Sequence, residues 1–501
     1  MEELTILLHG ECSTPLYEQI YEYIRQDIID GKISPGEKLP STRLLAKHLA
    51  VSRSTTDLAY GQLLSEGYVH AVPGSGYYVC DIKKDWLLSE GDGESVHKKE
   101  AKSPGLSGAE NREKSRSFQY DFSMNGVEWS DFSMASFQKA VKHMLQEGME
   151  GLFDPGIPQG EENLRQEICS YLHQARGVNC DADQMIVGAG NEYLLMLLDQ
   201  MFQKDRRIAM ESPTYHQAYQ TFCNLGWETV SIPMDGEGME VEELKHSGAS
   251  LAYIMPSHQF PMGSVMPMKR RMELLHWAGE EQGRYIIEDD HDSEFRYKGK
   301  PIPSLQGSDP LGRVIYLGTF SKSIAPAIRV SYMVLPRKLL EVYRNRCGFY
   351  SSTVSRVQQQ ILYYFMKEGY FGRHLNKMRR IYRSRHDALI LALKDKMWAK
   401  RIWGENAGLH VLVEVASGKG EEEIVRLAME RNVRAYGLGE YVIRPESERE
   451  HPVLLLGYGG LTEEQITAGV RILGEVIEES PERENSFQRY PKNPEYRILD
   501  K

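Results

Sequence analysis

A chain of 501 residues is too long for one compact core, and at ~150 residues per domain it has room for about three. Hydrophobic residues make up 41% and charged residues 26%, a soluble globular balance that excludes disordered, collagen-like and membrane-embedded classes. The formal net charge of −11 excludes bulk attraction to nucleic acid, so any DNA contact has to come from a local basic face.

The six cysteines, at 12, 80, 169, 180, 223 and 347, form no C-x-x-C pair and no zinc spacing with histidine. This argues against a disulfide framework or a structural zinc site. Met1-Glu2-Glu3 carries no positive leader, and no apolar stretch approaches the ~18 residues of a membrane span. We therefore expect a reduced, cytoplasmic protein with no membrane partner and no metal.

Apolar residues at 16, 17, 20, 21, 24 and 28 line one face of a helix from Leu16 to Ile29, which Gly31 stops. A turn follows, Pro35-Gly36-Glu37-Lys38-Leu39-Pro40. Ser41 and Thr42 then cap a second helix carrying Leu44, Leu45 and Leu49. Past Val51-Ser52, Ser52 or Ser54 caps a third helix through Leu63 and Leu64, ended by Gly67. Tyr68-Val69-His70 and Tyr77-Tyr78-Val79 read as two short strands around Pro73-Gly74-Ser75-Gly76. Three helices and a hairpin over residues 1–80 predict a winged helix-turn-helix.

Residues 1–80 hold six basic and ten acidic side chains, which taken alone argues against DNA. Residues 38–56, however, hold Lys38, Arg43, Lys47 and Arg53 and no acid. A carboxylate-free stretch spanning the turn between two helices is where phosphate and groove contacts belong. Lys38-Leu39-Pro40-Ser41-Thr42-Arg43-Leu44-Leu45-Ala46, Val51-Ser52-Arg53-Ser54-Thr55-Thr56, Glu66-Gly67-Tyr68 and Gly74-Ser75-Gly76 resemble the GntR-type winged-helix pattern over residues 14–80. That resemblance implies that Arg43, Ser52, Arg53, Thr55 and Thr56 meet a double-stranded DNA operator and that Gly76 brings the wing tip to the minor groove. The family often carries valine where Thr56 stands.

Residues 81–117 mix charges with Gly, Ser and Pro and have no sustained apolar period, the composition of a flexible linker. From 118 to 478 six apolar runs recur: Met185-Ile186-Val187, Ile208-Ala209-Met210, Leu251 to Met255, Tyr285-Ile286-Ile287, Val314 to Leu317 and Tyr332 to Leu335. Helical segments such as Glu192–Phe202 and Lys269–Glu281 separate several of them. Runs without alternation suit strands buried on both faces, so the region reads as α/β with a mostly parallel central sheet. Residues 479–501 read as a polar tail.

Ligands in such sheets bind beyond the carboxyl ends of the strands, and the chemistry-bearing residues of this chain fall there. Gly188-Ala189-Gly190-Asn191 opens a helix, an anion site by its free N–H groups. Glu288-Asp289-Asp290-His291-Asp292 crowds acids together, which is costly without a cation or a protonated nitrogen; a metal site is one reading. Gly318-Thr319-Phe320-Ser321-Lys322-Ser323, with Arg329 seven residues beyond the lysine, combines phosphate-binding groups with an amine that desolvation can prime for Schiff-base chemistry. An acid on a neighbouring strand can hold a pyridine nitrogen protonated, and Tyr215 can stack on a ring. Together these are the requirements of pyridoxal 5′-phosphate.

The blocks Asp154-Pro155-Gly156 through Leu164-Arg165, Gly188 to Leu194, Ser257 to Gly263, Ile287 to Phe295 and Gly318 to Arg329 resemble fold-type I aminotransferases. The resemblance implies that Lys322 is the aldimine lysine and Asp289 the partner of the pyridine nitrogen, the two catalytic positions. It further implies that Tyr215 stacks on the ring and that Gly190, Asn191, Thr319, Ser321 and Arg329 hold the phosphate. The family's asparagine at the ring hydroxyl is Phe260 here, and its carboxylate-clamping arginine aligns near Leu455, with Arg444 upstream.

Head, linker and body in this order resemble the MocR/GabR-type regulators. That implies a cofactor-dependent transcription regulator, a homodimer with each head near the other subunit's body, sensing an amine, an amino acid or the cofactor itself. Members commonly carry a tyrosine where His291 stands, near the ring hydroxyl. His291 can still donate or accept a hydrogen bond there, and its titration could make the response pH-dependent. Two alternatives stay open: a working aminotransferase with an attached DNA-binding head, and a DNA-binding protein with a cofactor-free body.

Overall fold

The computed structural model describes residues 6, 8, 14–80, 118–127, 129–147, 151–202, 206–297, 302–405, 407–443 and 450–479. The expected linker, all of the expected tail except Glu479, and Arg444 lie outside the described residues. The chain divides into two compact units, Met1–Gly108 and Ala109–Lys501.

In the first unit, α1 (Leu16–Ile29) ends at Asp30, one residue before Gly31 turns left-handed at φ +74°. α2 (Thr42–His48) starts where the Ser41 side chain accepts from Leu44 N–H, and α3 (Arg53–Ser65) where Ser52 accepts from Thr55 N–H, the N-cap contacts expected of serine. β1 (Val69–Val72) and β2 (Gly76–Val79) pair antiparallel. Ile20, Ile24, Leu45, Ala59, Tyr60, Leu63, Val69 and Val79 close one core under the three helices and the hairpin. The unit is the expected winged helix-turn-helix.

The second unit contributes, in chain order, β3 (Tyr120–Asp121), β4 (Met185–Gly188), β5 (Arg207–Ser212), β6 (Glu228–Asp235), β7 (Gly238–Met239), β8 (Leu251–Ile254), β9 (Tyr285–Asp290), β10 (Val314–Thr319) and β11 (Ser331–Val334). Eight of them form one sheet in the order β4-β11-β10-β9-β8-β5-β6-β7. The five from β10 to β6 run parallel, whereas β11 is antiparallel to both neighbours and β7 to β6. All six apolar runs are strands of this sheet. The sequence reading missed β6, whose residues are mostly part-exposed, and the short β7.

Burial on both faces follows from alternation along each strand. Ile186, Ile208, Met210, Tyr253, Ile287, Ile315, Leu317 and Met333 join one core with the helix Asn191–Met201. Their neighbours Ala209, Ala252, Ile254, Ile286 and Val314 face a second core with the helix Met268–Glu280, and Met185, Val187, Tyr316, Tyr332 and Val334 face a third. A smaller antiparallel sheet orders β12 (Ala399–Trp403), β13 (His410–Val415), β16 (Val453–Gly457) and β15 (Tyr436–Gly437) as β12-β13-β16-β15, and β14 (Val433–Arg434) pairs parallel with β3.

The sheet also buries acids. Burial pushes the Glu211 carboxyl, 1% exposed at the end of β5, up to about 7. A carboxyl raised on folding favours the native state below its unfolded pKa, and that contribution is lost as pH rises through the folded value. Denaturant titrations at pH 5 and pH 8 are therefore expected to show a loss in the wild type that Glu211→Gln lessens. The difference should be on the order of 2–3 kcal/mol for a shift of this size. Equal pH dependence in the two chains would refute the assignment.

Candidate functional site

The face of the sheet that carries Ile287 also carries Asp289, two residues on. In register, Tyr253 of β8 stands opposite Ile287 and Leu317 of β10 opposite Asp289. Asp289 is 2% exposed. Its Oδ2 accepts from the Tyr253 hydroxyl and from Asn191 Nδ2 at 3.4 Å, while Oδ1 is buried without a hydrogen-bond partner. Burial raises this carboxyl to about 7, against the lowering contact from Tyr253.

The other acids of the cluster point elsewhere. Asp290, on the opposite face, takes a two-pronged ion pair from Arg176 (2.7 and 3.1 Å) and a hydrogen bond from the Tyr316 hydroxyl. Glu288 accepts the N–H groups of Leu305 and Gln306, both at 2.8 Å. Asp292, left-handed at φ +48°, accepts from His258 Nδ1 at 2.6 Å. Protein partners thus take up the neighbours of Asp289, and no group of His, Cys, Asp or Glu among the described residues is arranged to hold a metal ion.

Lys322 follows β10 in the short helix Phe320–Ser323. Its Nζ donates to the Met124 carbonyl at 2.9 Å and to Asn125 Oδ1. Burial lowers the ammonium to about 8, opposed by the charge of Asp292. Thr319 Oγ1 accepts from Ser321 N–H at 3.1 Å and from Ser331 Oγ at 2.9 Å, and Ser321 Oγ is buried without a partner. Arg329, left-handed at φ +48°, pairs with Glu192 at 2.8 Å. Gly190, at φ +103°, starts the helix Asn191–Met201; a Cβ there would stand inside van der Waals contact of the Arg329 guanidinium. Gly190, Asn191 and Arg329 are therefore one cluster, with Thr319 and Ser321 preceding Lys322.

Tyr215 starts the helix His216–Asn224, and its ring lies 6.0 Å from Phe260 and 5.9 Å from His291. Phe260 is 5.4 Å from His291, 5.2 Å from His410 and 5.2 Å from Tyr441. His291 is pushed down to about 3, chiefly by burial. A downward shift of that size leaves the ring neutral near pH 7. Leu455 is fully buried in β16 and packs into the same core as Phe260.

These residues fit pyridoxal 5′-phosphate. Asp289 Oδ1 and Ser321 Oγ are buried polar atoms in want of partners, one suited to a ring nitrogen and the other to a phosphate oxygen. The glycine-opened helix end favours an anion, and Lys322 supplies an amine. Sequence reasoning missed Tyr253, Met124 and Asn125. Tyr253 could have been found as the hydroxyl of its own apolar run, Leu251 to Met255. The other two lie 198 and 197 residues before the lysine they bond and carry no local signal.

In the head, Arg43 and Arg53 are exposed, and Arg53 lies 3.5 Å from Asp57. Ser52 Oγ lies 2.7 Å from both Ser54 Oγ and Thr55 Oγ1 at the start of α3, a hydroxyl cluster at a helix N-terminus where phosphate is favoured. Gly76 adopts φ +126°, and a Cβ there would press on Lys38 Cε at 3.3 Å. Thr56 stands apart: it is wholly buried, and its hydroxyl donates to the carbonyls of Thr42 and Arg53, both at 2.9 Å. The structure gives it the role of joining α2 to α3 and places it away from the surface that Arg43 and Arg53 share with solvent.

Residues 16–79 match bacterial regulatory proteins of the gntR family, and residues 128–442 match aminotransferase class I and II. The chain is 38% identical over 475 residues to YdeL of Bacillus subtilis, an HTH-type transcriptional regulator, covering 94% of this chain and 98% of that protein. It is 30% identical over 476 residues to MocR of Rhizobium meliloti, a probable rhizopine catabolism regulatory protein, covering 93% and 95%. Among solved structures, the multiple substrate aminotransferase of Thermococcus profundus superposes with a TM-score of 0.66 at 26% identity, over 74% of this chain and 95% of that one.

Proposed function

The chain belongs to the MocR-type transcriptional regulators, a gntR-family head followed by a class I and II aminotransferase body, and we propose that an amine entering the body pocket alters how the head holds its operator. It is a DNA-binding regulator whose body takes pyridoxal 5′-phosphate. When bound, that cofactor supplies an aldehyde that condenses with primary amines and a ring that withdraws electrons. The observation that carries the proposal is a juxtaposition at the ends of β9 and β10: Asp289 with an unpaired buried carboxyl oxygen and a contact to Asn191, the Gly190–Arg329 cluster beside Asn191, and the Lys322 amine three residues past β10.

The protein's own groups divide the work. Lys322 holds the cofactor and yields its place to an incoming amine. Its lowered pKa of about 8 keeps more of the nucleophilic, unprotonated form at neutral pH than an ordinary lysine does. Asp289 holds a proton at the ring nitrogen, and Tyr253 and Asn191 hold Asp289. Gly190, Asn191, Thr319, Ser321 and Arg329 bind the phosphate, and Tyr215 covers the ring. Leu455 offers no guanidinium for a substrate carboxylate, which favours sensing over rapid transamination. The effector is an amine, an amino acid or the cofactor itself.

In this reading two chains pair in the cytoplasm and their heads bind two half-sites. Arg43 and Arg53 meet phosphate or base edges, with Ser52 and Thr55 at the start of α3 and Gly76 at the wing. Ligand control requires different affinity for two arrangements of the regulator. Among the described residues no helix is long and apolar enough to cross a membrane.

The test is binding to the DNA upstream of the protein's own gene, with and without cofactor, for the wild type, Lys322→Ala and Arg53→Ala. Arg53→Ala is expected to weaken binding and reduce the salt slope by about one, the loss of one phosphate contact. Unchanged affinity at moderate salt would remove the head assignment. Identical cofactor response in the wild type and Lys322→Ala would remove the sensing role.

A further inference from the structure

Two of the six cysteines, far from each other in any motif sense, meet in the fold. Cys169 lies on the helix Glu162–Arg176, and Cys180 in the segment between that helix and β4. The helix ends at Gly177 in the left-handed region at φ +65°, and the chain folds back along it. Cys180 Sγ comes to 3.4 Å from Cys169 Sγ and donates its S–H to it. Both thiols are only partly buried, so small oxidants can reach them. Cys347, in contrast, is fully buried, and Cys223 is exposed with no cysteine beside it among the described residues.

We infer that Cys169 and Cys180 form a reversible dithiol–disulfide site, oxidised by hydroperoxides, that ties the helix Glu162–Arg176 to the strand leading into the phosphate-binding loop. The two thiols divide the chemistry unequally. The Cys180 S–H contact, with the Arg165 charge behind it, lowers the Cys169 pKa against burial and the charges of Asp181 and Asp183. The same contact and burial raise that of Cys180. Cys169 is thus the sulfur that ionises, and the thiolate is the nucleophile.

In the first step the Cys169 thiolate attacks one peroxide oxygen. The O–O bond breaks, a Cys169 S–O bond forms, and hydroxide leaves and is protonated to water. In the second step the Cys180 sulfur attacks that of Cys169. The S–O bond breaks, the S–S bond forms, and the Cys180 proton leaves with the hydroxyl as a second water. The two thiols lose two electrons and the peroxide gains them. A sulfur–sulfur bond is about 2.0 Å long, so closure needs an approach on the order of 1 Å from the reduced contact.

The site has consequences for its surroundings. The helix that carries Cys169 also carries Arg176, which grips Asp290 beside Asp289, and β4 runs from near Cys180 to Gly188 at the start of the cradle. Oxidation shortens the tether between these two elements.

The full-length protein, reduced and freed of reductant, is treated with hydrogen peroxide, alkylated and mapped by mass spectrometry. The expected result is a peptide pair joined through Cys169 and Cys180, two hydrogens lighter than its parts and restored by dithiothreitol. Cys180→Ser is expected to leave Cys169 as a sulfenic acid that dimedone traps. Cys169→Ser is expected to leave Cys180 an alkylatable thiol at the same dose. Separate oxidation of the two residues in the wild type without a bridge would overturn the inference. So would both staying alkylatable at doses that oxidise Cys223. Because the wild-type map is itself decisive, the test stands even where a variant folds poorly.

Discussion

Lys322→Ala is expected to abolish every trace of borohydride-fixable cofactor while leaving the fold intact. The side chain makes two hydrogen bonds, to the Met124 carbonyl and to Asn125, but burial already disfavours its ammonium, so its loss costs little stability. Noncovalent retention through Asp289 and the phosphate cradle should persist, weaker by about 100-fold, the equivalent of ~3 kcal/mol. In the wild type, the rate of adduct formation should climb with pH and level off above about 8, where the Lys322 amine is unprotonated. An ordinary lysine would keep climbing to ~10.4. Stopped-flow absorbance with added cofactor and the intact mass after borohydride read both quantities. An adduct that survives in Lys322→Ala, on another lysine, would overturn the site.

The strands were legible because they are buried on both faces, which erases alternation and leaves plain apolar runs. β6 escaped for the opposite reason: lying toward one edge of the sheet, with Glu228, Pro233 and Asp235 exposed, it has no apolar run to notice. The head's elements were legible from local chemistry alone, since Ser41 and Ser52 cap the helices they precede and glycines sit where φ turns positive, as at Gly31 and Gly67.

The candidate site was legible where its residues cluster at strand ends and opaque where it depends on long-range packing. The crowd of acids at 288–292 suggested a metal as one reading. The structure separates these acids by alternation: Asp289 faces Tyr253 and Asn191, and Glu288 and Asp290 face the other way to backbone N–H groups and Arg176. No spacing rule announces that His258 will meet Asp292 or that Gly408 leaves room for that imidazole. Thr56 shows the reverse limit. Its place in a helix-opening motif suggested DNA, yet helical geometry turns it inward, where its hydroxyl closes two backbone acceptors.

Asp289→Asn should weaken binding of a pyridine phosphate that lacks the aldehyde by about 10- to 100-fold, the range of a lost charge-assisted hydrogen bond of ~1.5–3 kcal/mol. Such a ligand isolates the ring contact from Lys322 chemistry. The pH profile carries the sharper information. The Asp289 carboxyl is raised to about 7 by burial, so below that pH it already holds the proton that the pair with the ring nitrogen shares. Above it, binding an unprotonated ring requires a proton from solvent, and affinity falls as pH rises. The amide that replaces the carboxyl in Asp289→Asn does not titrate, so the variant's affinity should decline less from pH 6 to pH 8 than the wild type's, the titrations of Lys322 and of the ligand phosphate being common to both. Glu192, Tyr253 and Asp290 also act on Asp289, but they remain in both chains and cancel in the comparison. Parallel pH profiles in equilibrium titrations of the two proteins would show that Asp289 does not meet the ring, whatever the size of the affinity loss.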